Sequence, residues 1–393
     1  MKRLLAIVVV AAALVAWTGA GQGQEIKIGL VAMITGPFSF DGLMTVYAAR
    51  VAVKQINDAG GILGHPIKLI EEDSRGIPAE ALNAIKKLVH QDQVHALECC
   101  WFSSSTFAAI PEIEKVGVPT VTAISTAASL TRRGYKWLFR ASHHSDIEAP
   151  GFVEFWVKDL KVKRVAFLAR NDDWGRETIK AYKENLLKLG GTVLAEEFAK
   201  PGESDYTSYL TKIKATSPEA IDMVEVTRPG AAMVKQIRDL GMKVMLLGSD
   251  GQVTDKFIEL AEGAAEGMYV LTRWEPAVDN ARSRKFVEDW KRMRPGADLP
   301  DEYAQAGYDD IYVLAEAIKR AADGSPERLR ALMRDLQGFR TAVRDALKKT
   351  DYIALSGARI QFDANNQAYP HMYIVQIKGG KRQIVKKFDT RPR

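Results

Sequence analysis

Short β-rich runs alternate with helical stretches through most of this chain, and no other feature constrains its fold as strongly. A first series precedes His143, with β-rich runs at 26–34, 66–72, 94–100 and 118–124 around helical stretches at 47–58, 79–91 and 106–115. A second series follows, with β-rich runs at 164–169, 191–198, 221–226 and 243–247 around helical stretches at 178–189, 206–215 and 231–240. Strands separated by helices pair in parallel, so each series predicts one α/β sheet. We expect two doubly wound parallel-sheet lobes, then a mainly helical region and two final β-like runs at 371–377 and 382–388.

The amino terminus has the pattern of a secretory signal. Lys2 and Arg3 precede an apolar run at 4–17, and small residues follow at 18–20. A membrane anchor would need about 20 apolar residues, and this run ends before that length. We therefore predict that residues 1–24 form a signal peptide, that the mature protein is periplasmic, and that it does not span a membrane after processing.

Length and charge limit the classes of partner. About 370 residues remain after processing, more than one hydrophobic core usually organises. The formal net charge of +6 includes Lys2 and Arg3, and most other basic residues are scattered among acids. The one local exception is the basic tail at 378–393, which we interpret as a solvated strand pair and a frayed end. A scattered pattern is typical of a solvated surface, so no nucleic-acid partner is expected.

The cysteine and histidine patterns suggest neither a metal site nor a catalytic site. Cys99 and Cys100 are adjacent, which leaves either buried thiols or a rare vicinal disulfide, and their place after an apolar strand favours thiols. The six histidines include no zinc-binding helix pattern, and no Gly-x-Ser-x-Gly elbow is present. We expect no cofactor, no metal and no enzymatic activity.

Ligands of open α/β sheets bind outside the carboxyl ends of the strands, so the turns after the strands are the candidate sites. In the first series these turns contain Phe102, Ser103, Ser125 and Thr126. Hydroxyl groups at the start of a helix, together with free backbone N–H groups, suit a carboxylate, although ordinary N-capping also explains them. In the second series, Trp174 can stack on a ligand and Asp250 can hold a cation, with a simple turn-forming role as the alternative for Asp250.

The sequence resembles the type I periplasmic solute-binding proteins of ABC importers, in the branched-chain amino acid (Leu/Ile/Val) and amide-binding branch, over nearly its whole mature length. The resemblance depends on the order and spacing of seven stretches, at residues 26–30, 35–37, 56–64, 103–106, 130–135, 241–251 and 265–268. It implies two lobes, 25–143 with 275–364 and 144–274 with 365–393. Three hinge crossovers near 141–146, 272–275 and 363–368 would let the lobes close on a ligand.

The resemblance also implies roles for individual residues. Ser103, Ser125 and Thr126 match the residues that receive an α-carboxylate, Asp250 matches the acid that receives the α-ammonium, and Trp174 matches an aromatic residue that covers the ligand.

Four departures from the family leave the ligand open. Asp41 stands where leucine-binding relatives carry an aromatic residue, Trp174 replaces a Tyr, and the turn at Thr227 lacks the Tyr of those relatives. The first-lobe disulfide of such relatives is also missing, because Arg75 and Gly76 occupy the place of its second Cys.

The expected function is capture of a small amino acid, of branched-chain type first, for an ABC permease and its ATPase. Short amides or urea, aromatic carboxylates and a ligand-sensing role are the alternatives.

Overall fold

The structure is a computed structural model that describes residues 23–391. The predicted signal peptide lies almost wholly outside the described residues. The strands are β1 Ile26–Ala32, β2 Ile67–Asp73, β3 Ala96–Glu98, β4 Thr120–Thr122, β5 Leu138–Arg140, β6 Arg164–Arg170, β7 Thr192–Ala199, β8 Ala220–Val224, β9 Met245–Gly248, β10 Tyr269–Thr272, β11 Tyr352–Ile353, β12 Arg359–Ile360, β13 Met372–Lys378 and β14 Lys381–Phe388.

Helices separate most of these strands. They are α1 Ser39–Asp58, α2 Pro78–Lys86, α3 Ser103–Val116, α4 Ser145–Glu154, α5 Asp173–Lys188, α6 Thr207–Ala215, α7 Thr227–Asp239, α8 Asp255–Ala261, α9 Ala281–Met293, α10 Glu302–Ala321, α11 Pro326–Leu332 and α12 Leu336–Leu347. Short π-helical or 3₁₀ segments occupy Lys87–Gln91, Ala128–Thr131, Phe155–Asp159 and Asp250–Gln252.

The first lobe contains a five-stranded parallel sheet in the order β2-β1-β3-β4-β5. Ile26, Ile28 and Leu30 of β1 are fully buried, and the residues between them are also largely covered. Near-continuous burial along a strand is what a parallel sheet with helices on both faces requires. Helices α1 and α10 pack closely on each other in this lobe, where a Cβ atom at Gly307 would lie 2.3 Å from the carbonyl oxygen of Thr45.

The second lobe contains a seven-stranded sheet in the order β14-β13-β10-β9-β8-β6-β7. Strands β6 to β10 pair in parallel, whereas β13 and β14 add an antiparallel edge. The chain passes between the two sheets three times: after β5, after β10 and before β13. The prediction of two α/β lobes is confirmed, and the two final β-like runs form the antiparallel edge.

The structure joins Cys99 and Cys100 in a disulfide, so the expectation of two free thiols is wrong. Both cysteines are buried, with exposures of 1% and 2%. A position after an apolar strand predicts that the cysteines are buried, but free thiols and a vicinal disulfide can both be buried. The sequence pattern therefore did not discriminate between them. The bridge closes the turn that leads from β3 into α3.

Candidate functional site

A small cavity lies between the two lobes, at the carboxyl ends of their strands. Its volume is about 20 Å³, room for little more than a water molecule, so entry of a larger ligand requires the lobes to separate. The first lobe contributes Trp101, Phe102, Ser103, Ile124, Thr126 and Tyr303. The second lobe contributes Trp174, Val226, Asp250 and Gly251.

Five of the predicted site residues lie in the first turn of an α-helix or directly before it. Asp41, Ser103, Trp174 and Thr227 all belong to the first turn of their helix, and Phe102 is the residue before α3. Each of these helices begins three to eight residues earlier than its apolar periodicity predicted. The first N–H groups of a helix have no partner within the helix, and they carry its positive dipole end. These turns therefore bring hydrogen-bond donors to the interlobe space.

The hydroxyl of Ser103 is at the cavity wall. Its Oγ accepts a hydrogen bond from the backbone N–H of Ala127 at 3.1 Å, which ties the turn after β3 to the turn after β4. Thr126 lies at the same wall, and its carbonyl oxygen accepts a hydrogen bond from the N–H of Ser145 at 3.2 Å. The structure therefore brings Ser103 and Thr126 together, as the sequence predicted.

Ser125 is turned away from this wall. Its hydroxyl donates to the carbonyl oxygen of Cys100 at 2.6 Å and lies 2.6 Å from the hydroxyl of Thr106. Ser125 is 1% exposed and is absent from the cavity lining. Its side chain thus connects the turns after β3 and β4 and does not face a ligand in this conformation.

Asp250 is the carboxylate at the cavity wall, and it is paired with a buried histidine. Its Oδ2 lies 3.3 Å from Nε2 of His143, and the same nitrogen lies 2.6 Å from Oε2 of Glu148. Burial disfavours the charged imidazole, but the two carboxylates outweigh it and raise the pKa of His143 to about 9. Burial likewise acts to raise the pKa of Asp250, but the hydrogen bond and charge of His143 lower it below its usual range.

A second buried cation, Arg273, supports the first-lobe wall. Arg273 forms an ion pair with Glu302 at 3.3 Å, and its guanidinium donates to the carbonyl oxygen of Ala123, beside the turn that contains Thr126. Burial, partly offset by Arg273, raises the pKa of Glu302 to about 8. No local sequence motif indicated His143 or Arg273 as part of this network, because their partners are distant along the chain.

Aromatic rings cover much of the cavity. The ring centroids of Trp101 and Tyr303 are 4.7 Å apart, and those of Trp101 and Phe102 are 5.1 Å apart. Trp174 approaches from the second lobe. Trp101 adjoins the predicted Phe102 and was within reach of sequence reasoning, whereas Tyr303 lies far along the chain on α10 and had no such signal.

Asp41 and Thr227 contact each other across the lobes outside the cavity lining. The hydroxyl of Thr227 donates to Oδ1 of Asp41 at 2.6 Å, and both side chains are buried. A second contact across the lobes places the guanidinium of Arg170 4.3 Å from the ring centroid of Phe102. The structure therefore places Asp41 and Thr227 at the closed interlobe surface and not at the cavity wall.

Two features are absent from residues 23–391. No group of three or more His, Cys, Asp or Glu side chains is arranged to hold a metal ion. Within the same residues, every helix is too short or too polar to cross a membrane.

Comparison with known proteins identifies the family of this chain. A family model described as periplasmic binding protein matches residues 25–382. An amino acid binding protein of Pseudomonas aeruginosa is 28% identical over 310 residues, which cover 77% of this chain and 81% of that protein.

Solved structures share the two-lobed fold. The branched-chain amino acid transporter substrate binding protein LivJ from Streptococcus pneumoniae, solved in complex with isoleucine, superposes with a TM-score of 0.82 at 25% identity, covering 93% of this chain and 99% of that one. A solute binding protein of an ABC transporter from R. palustris, solved with benzoate, has a TM-score of 0.81 at 18% identity, covering 92% and 96%. With a family model matched over nearly the whole described chain, this protein belongs to the periplasmic binding protein family.

Proposed function

We propose that this protein is the extracytoplasmic substrate-binding component of an ABC importer and that it captures a small amino acid, with the branched-chain type first. The proposal rests on one observation: hydrogen-bond donors on one wall of the cavity face a carboxylate on the other wall. Ser103, Thr126 and the start of α3 lie on the first-lobe wall, and Asp250 lies on the second-lobe wall. Hydroxyl and N–H donors suit a carboxylate and an acid suits an ammonium, so the walls match the two ends of a zwitterion.

The proposed role of each residue follows from the wall on which it lies. Ser103 and Thr126 receive the carboxylate, Asp250 receives the ammonium, and Phe102 and Trp174 cover the side chain of the ligand. Ser125 acts indirectly, by fixing the turn before α3. Thr227 and Asp41 act in closure, because they meet across the lobes and do not line the cavity.

The proposed capture is a hinge motion. The lobes are residues 25–143 with 275–364 and residues 144–274 with 365–393, and they rotate about the three crossings. Support comes from the small volume of the closed cavity, which admits a ligand only when the lobes separate. Small-angle scattering should give a smaller radius of gyration with saturating ligand, and an unchanged radius would contradict the hinge.

The proposed setting is the periplasm, reached by the signal peptide at residues 1–24. The partners are a membrane permease and its ATPase, which receive the ligand. The role is capture and release, so we expect the bound ligand to be recovered chemically unchanged after incubation with the purified protein. Conversion of the ligand would contradict this role and favour an enzyme.

The second candidate ligand class is the aromatic carboxylates. Trp101, Phe102, Trp174 and Tyr303 surround the cavity, and an aryl ring can pack against such rings. Short amides or urea remain a third class, and a ligand-sensing module remains the alternative to transport.

A melting panel tests the ligand class. It contains L-leucine, L-isoleucine, 4-methylpentanoate as leucine without its amino group, acetamide, urea and benzoate. A ligand at a hundred times its Kd stabilises the folded protein by about 2.7 kcal/mol. The proposal expects L-leucine to stabilise more than 4-methylpentanoate. Stabilisation by benzoate and 4-methylpentanoate alone would overturn the amino-acid assignment.

A further inference from the structure

Asp41 is a buried acid at the interlobe surface that the ligand cavity does not use. It lies in the first turn of α1 and is 2% exposed. Its Oδ1 accepts the hydroxyl of Thr227 at 2.6 Å, and that hydroxyl lies 3.1 Å from the hydroxyl of Thr254. Both threonines belong to the second lobe, so the neighbours of this carboxyl group change when the lobes separate.

The charged groups that face Asp41 do not neutralise it. Asp301, the N-cap residue of α10, and Glu225, before α7, are acids that oppose its ionisation. Arg228 is the cation nearby, and its side chain is exposed to solvent. Among residues 23–391, no Lys, Arg or His lies within ion-pair distance of Asp41. A buried carboxylate without a paired cation is strongly disfavoured relative to the neutral acid.

We propose that closure of the two lobes takes up one proton from solvent at the carboxylate of Asp41, so that ligand binding is linked to proton uptake at this residue. In the open protein the carboxylate faces water between the separated lobes and is ionised near neutral pH. On closure it loses that water, the proton binds a carboxylate oxygen, and the neutral acid keeps the hydrogen bond from Thr227. The protein takes up the proton from the buffer, and no bond other than the new O–H forms.

The sign of the linkage follows from the two environments of the acid. Burial raises the pKa of Asp41 in the closed structure to about 8, with the hydrogen bond from Thr227 opposing the shift, whereas an exposed Asp has a pKa of about 3.9. The closed form therefore binds more protons than the open form between these values. Affinity should fall as pH rises through that range, by up to about tenfold per pH unit, and should level off above about pH 8.

Calorimetry in two buffers of different ionisation enthalpy counts the protons taken up on binding. This inference rests on the proposed function, because the first probe is L-leucine. At pH 7 the wild-type protein should take up about one proton per ligand, and Asp41→Asn about none. Glu184→Gln, which removes an exposed acid from α5, is the matched control and should leave the count unchanged. A count near zero for wild type, or an unchanged count in Asp41→Asn, would overturn the proposal.

A second variant separates titration from a packing role. Thr227→Val removes the donor that favours the ionised acid while keeping a similar shape. At pH 8 the wild-type count should be about one half, and Thr227→Val should raise it toward one. An unchanged or lower count at pH 8 in this variant would contradict a titrating Asp41, and this test also serves if Asp41→Asn does not fold.

Failure of the amino-acid assignment can be distinguished from failure of the proton linkage. If L-leucine does not bind, the same count is made with benzoate, and proton uptake then supports the linkage while the amino-acid assignment fails. If neither binds, scattering of the ligand-free protein is compared at pH 5.5 and 8.5. A more compact protein at the lower pH supports the linkage, and equal radii overturn it.

Discussion

Oδ2 of Asp250 lies 3.3 Å from Nε2 of His143, so the acid at the cavity wall is already paired with a buried cation. Oε2 of Glu148 lies 2.6 Å from the same imidazole nitrogen, and the hydroxyl of Tyr182 donates to the other oxygen of Glu148. Two carboxylates share one imidazolium, and the positive charge of Arg273 also acts on Asp250. His143 therefore positions Asp250 and also moderates its charge.

His143→Gln should destabilise the protein in a pH-dependent manner. The pKa of His143 is raised to about 9 in the folded protein against about 6.5 when unfolded, so its contribution is fully present below about pH 6.5 and is lost as pH rises through 9. Removing one partner of a buried ion pair costs roughly 3–5 kcal/mol. Urea unfolding should show that loss at pH 6, and the gap to wild type should narrow by pH 9.5.

His90→Gln is the control for that series. His90 pairs with Glu112 at 2.7 Å, but its side chain is 55% exposed, and exposed pairs contribute about 0–1 kcal/mol. The unfolding free energy of His90→Gln should stay close to that of the wild-type protein at every pH. A gap for His143→Gln that does not change with pH would contradict the protonated state of His143.

Asp250→Asn should weaken binding of an amino acid by roughly thirtyfold or more. Loss of one partner of a desolvated charge pair costs about 2–5 kcal/mol, and 2 kcal/mol corresponds to about thirtyfold. Binding of 4-methylpentanoate should change far less, because it carries no ammonium. Titration calorimetry measures both ligands, with Asp279→Asn, an exposed acid, as the control. Unchanged leucine affinity would remove Asp250 from the site.

Substitution of two serines of the first lobe should affect different properties: ligand affinity for Ser103 and stability for Ser125. Ser103→Ala removes a donor at the cavity wall, so ligand affinity should fall by about 1.5–3 kcal/mol, the usual contribution of a hydrogen bond to a charged group. Ser125→Ala leaves the carbonyl oxygen of Cys100 without this donor, so the free energy of unfolding should fall by about 1–3 kcal/mol. Calorimetry and urea unfolding of both variants check the contrast. A larger affinity loss for Ser125→Ala than for Ser103→Ala would contradict it.

Phe102→Leu should weaken ligand binding, both because the ring lines the cavity and because it contributes to closure. The guanidinium of Arg170 in the second lobe lies 4.3 Å from the Phe102 ring, and a cation–π contact contributes about 0.5–2 kcal/mol. Losing about 1 kcal/mol from the closed form should weaken affinity about fivefold. Phe107→Leu is a matched control, because Arg133 lies 4.8 Å from the Phe107 ring within the first lobe alone. Equal losses in both variants would show that the Arg170 contact does not contribute to closure.

Apolar periodicity predicted α3, α5 and α7 but missed their first turns. Apolar spacing predicted helices from residues 106, 178 and 231, whereas α3, α5 and α7 begin at Ser103, Asp173 and Thr227. The missing first turns are polar or contain Gly and Pro, and they face the interlobe space, so their residues carry no apolar repeat. Of these three helices, only α5 has a side-chain cap, in which Asp172 accepts the N–H of Gly175 at 3.0 Å.

The sequence alone determined the two α/β lobes and the turns that meet between them, because strand–helix alternation and the carboxyl-end rule depend only on the order of elements along the chain. Tertiary structure decided which side chains in those turns face the cavity. Ser103 and Ser125 have the same chemistry, yet one lines the cavity and the other binds a carbonyl oxygen. It also decided the pairing of Asp250 with His143 and of Asp41 with Thr227, 107 and 186 residues apart, because contacts between distant residues depend on how the lobes pack and leave no local pattern.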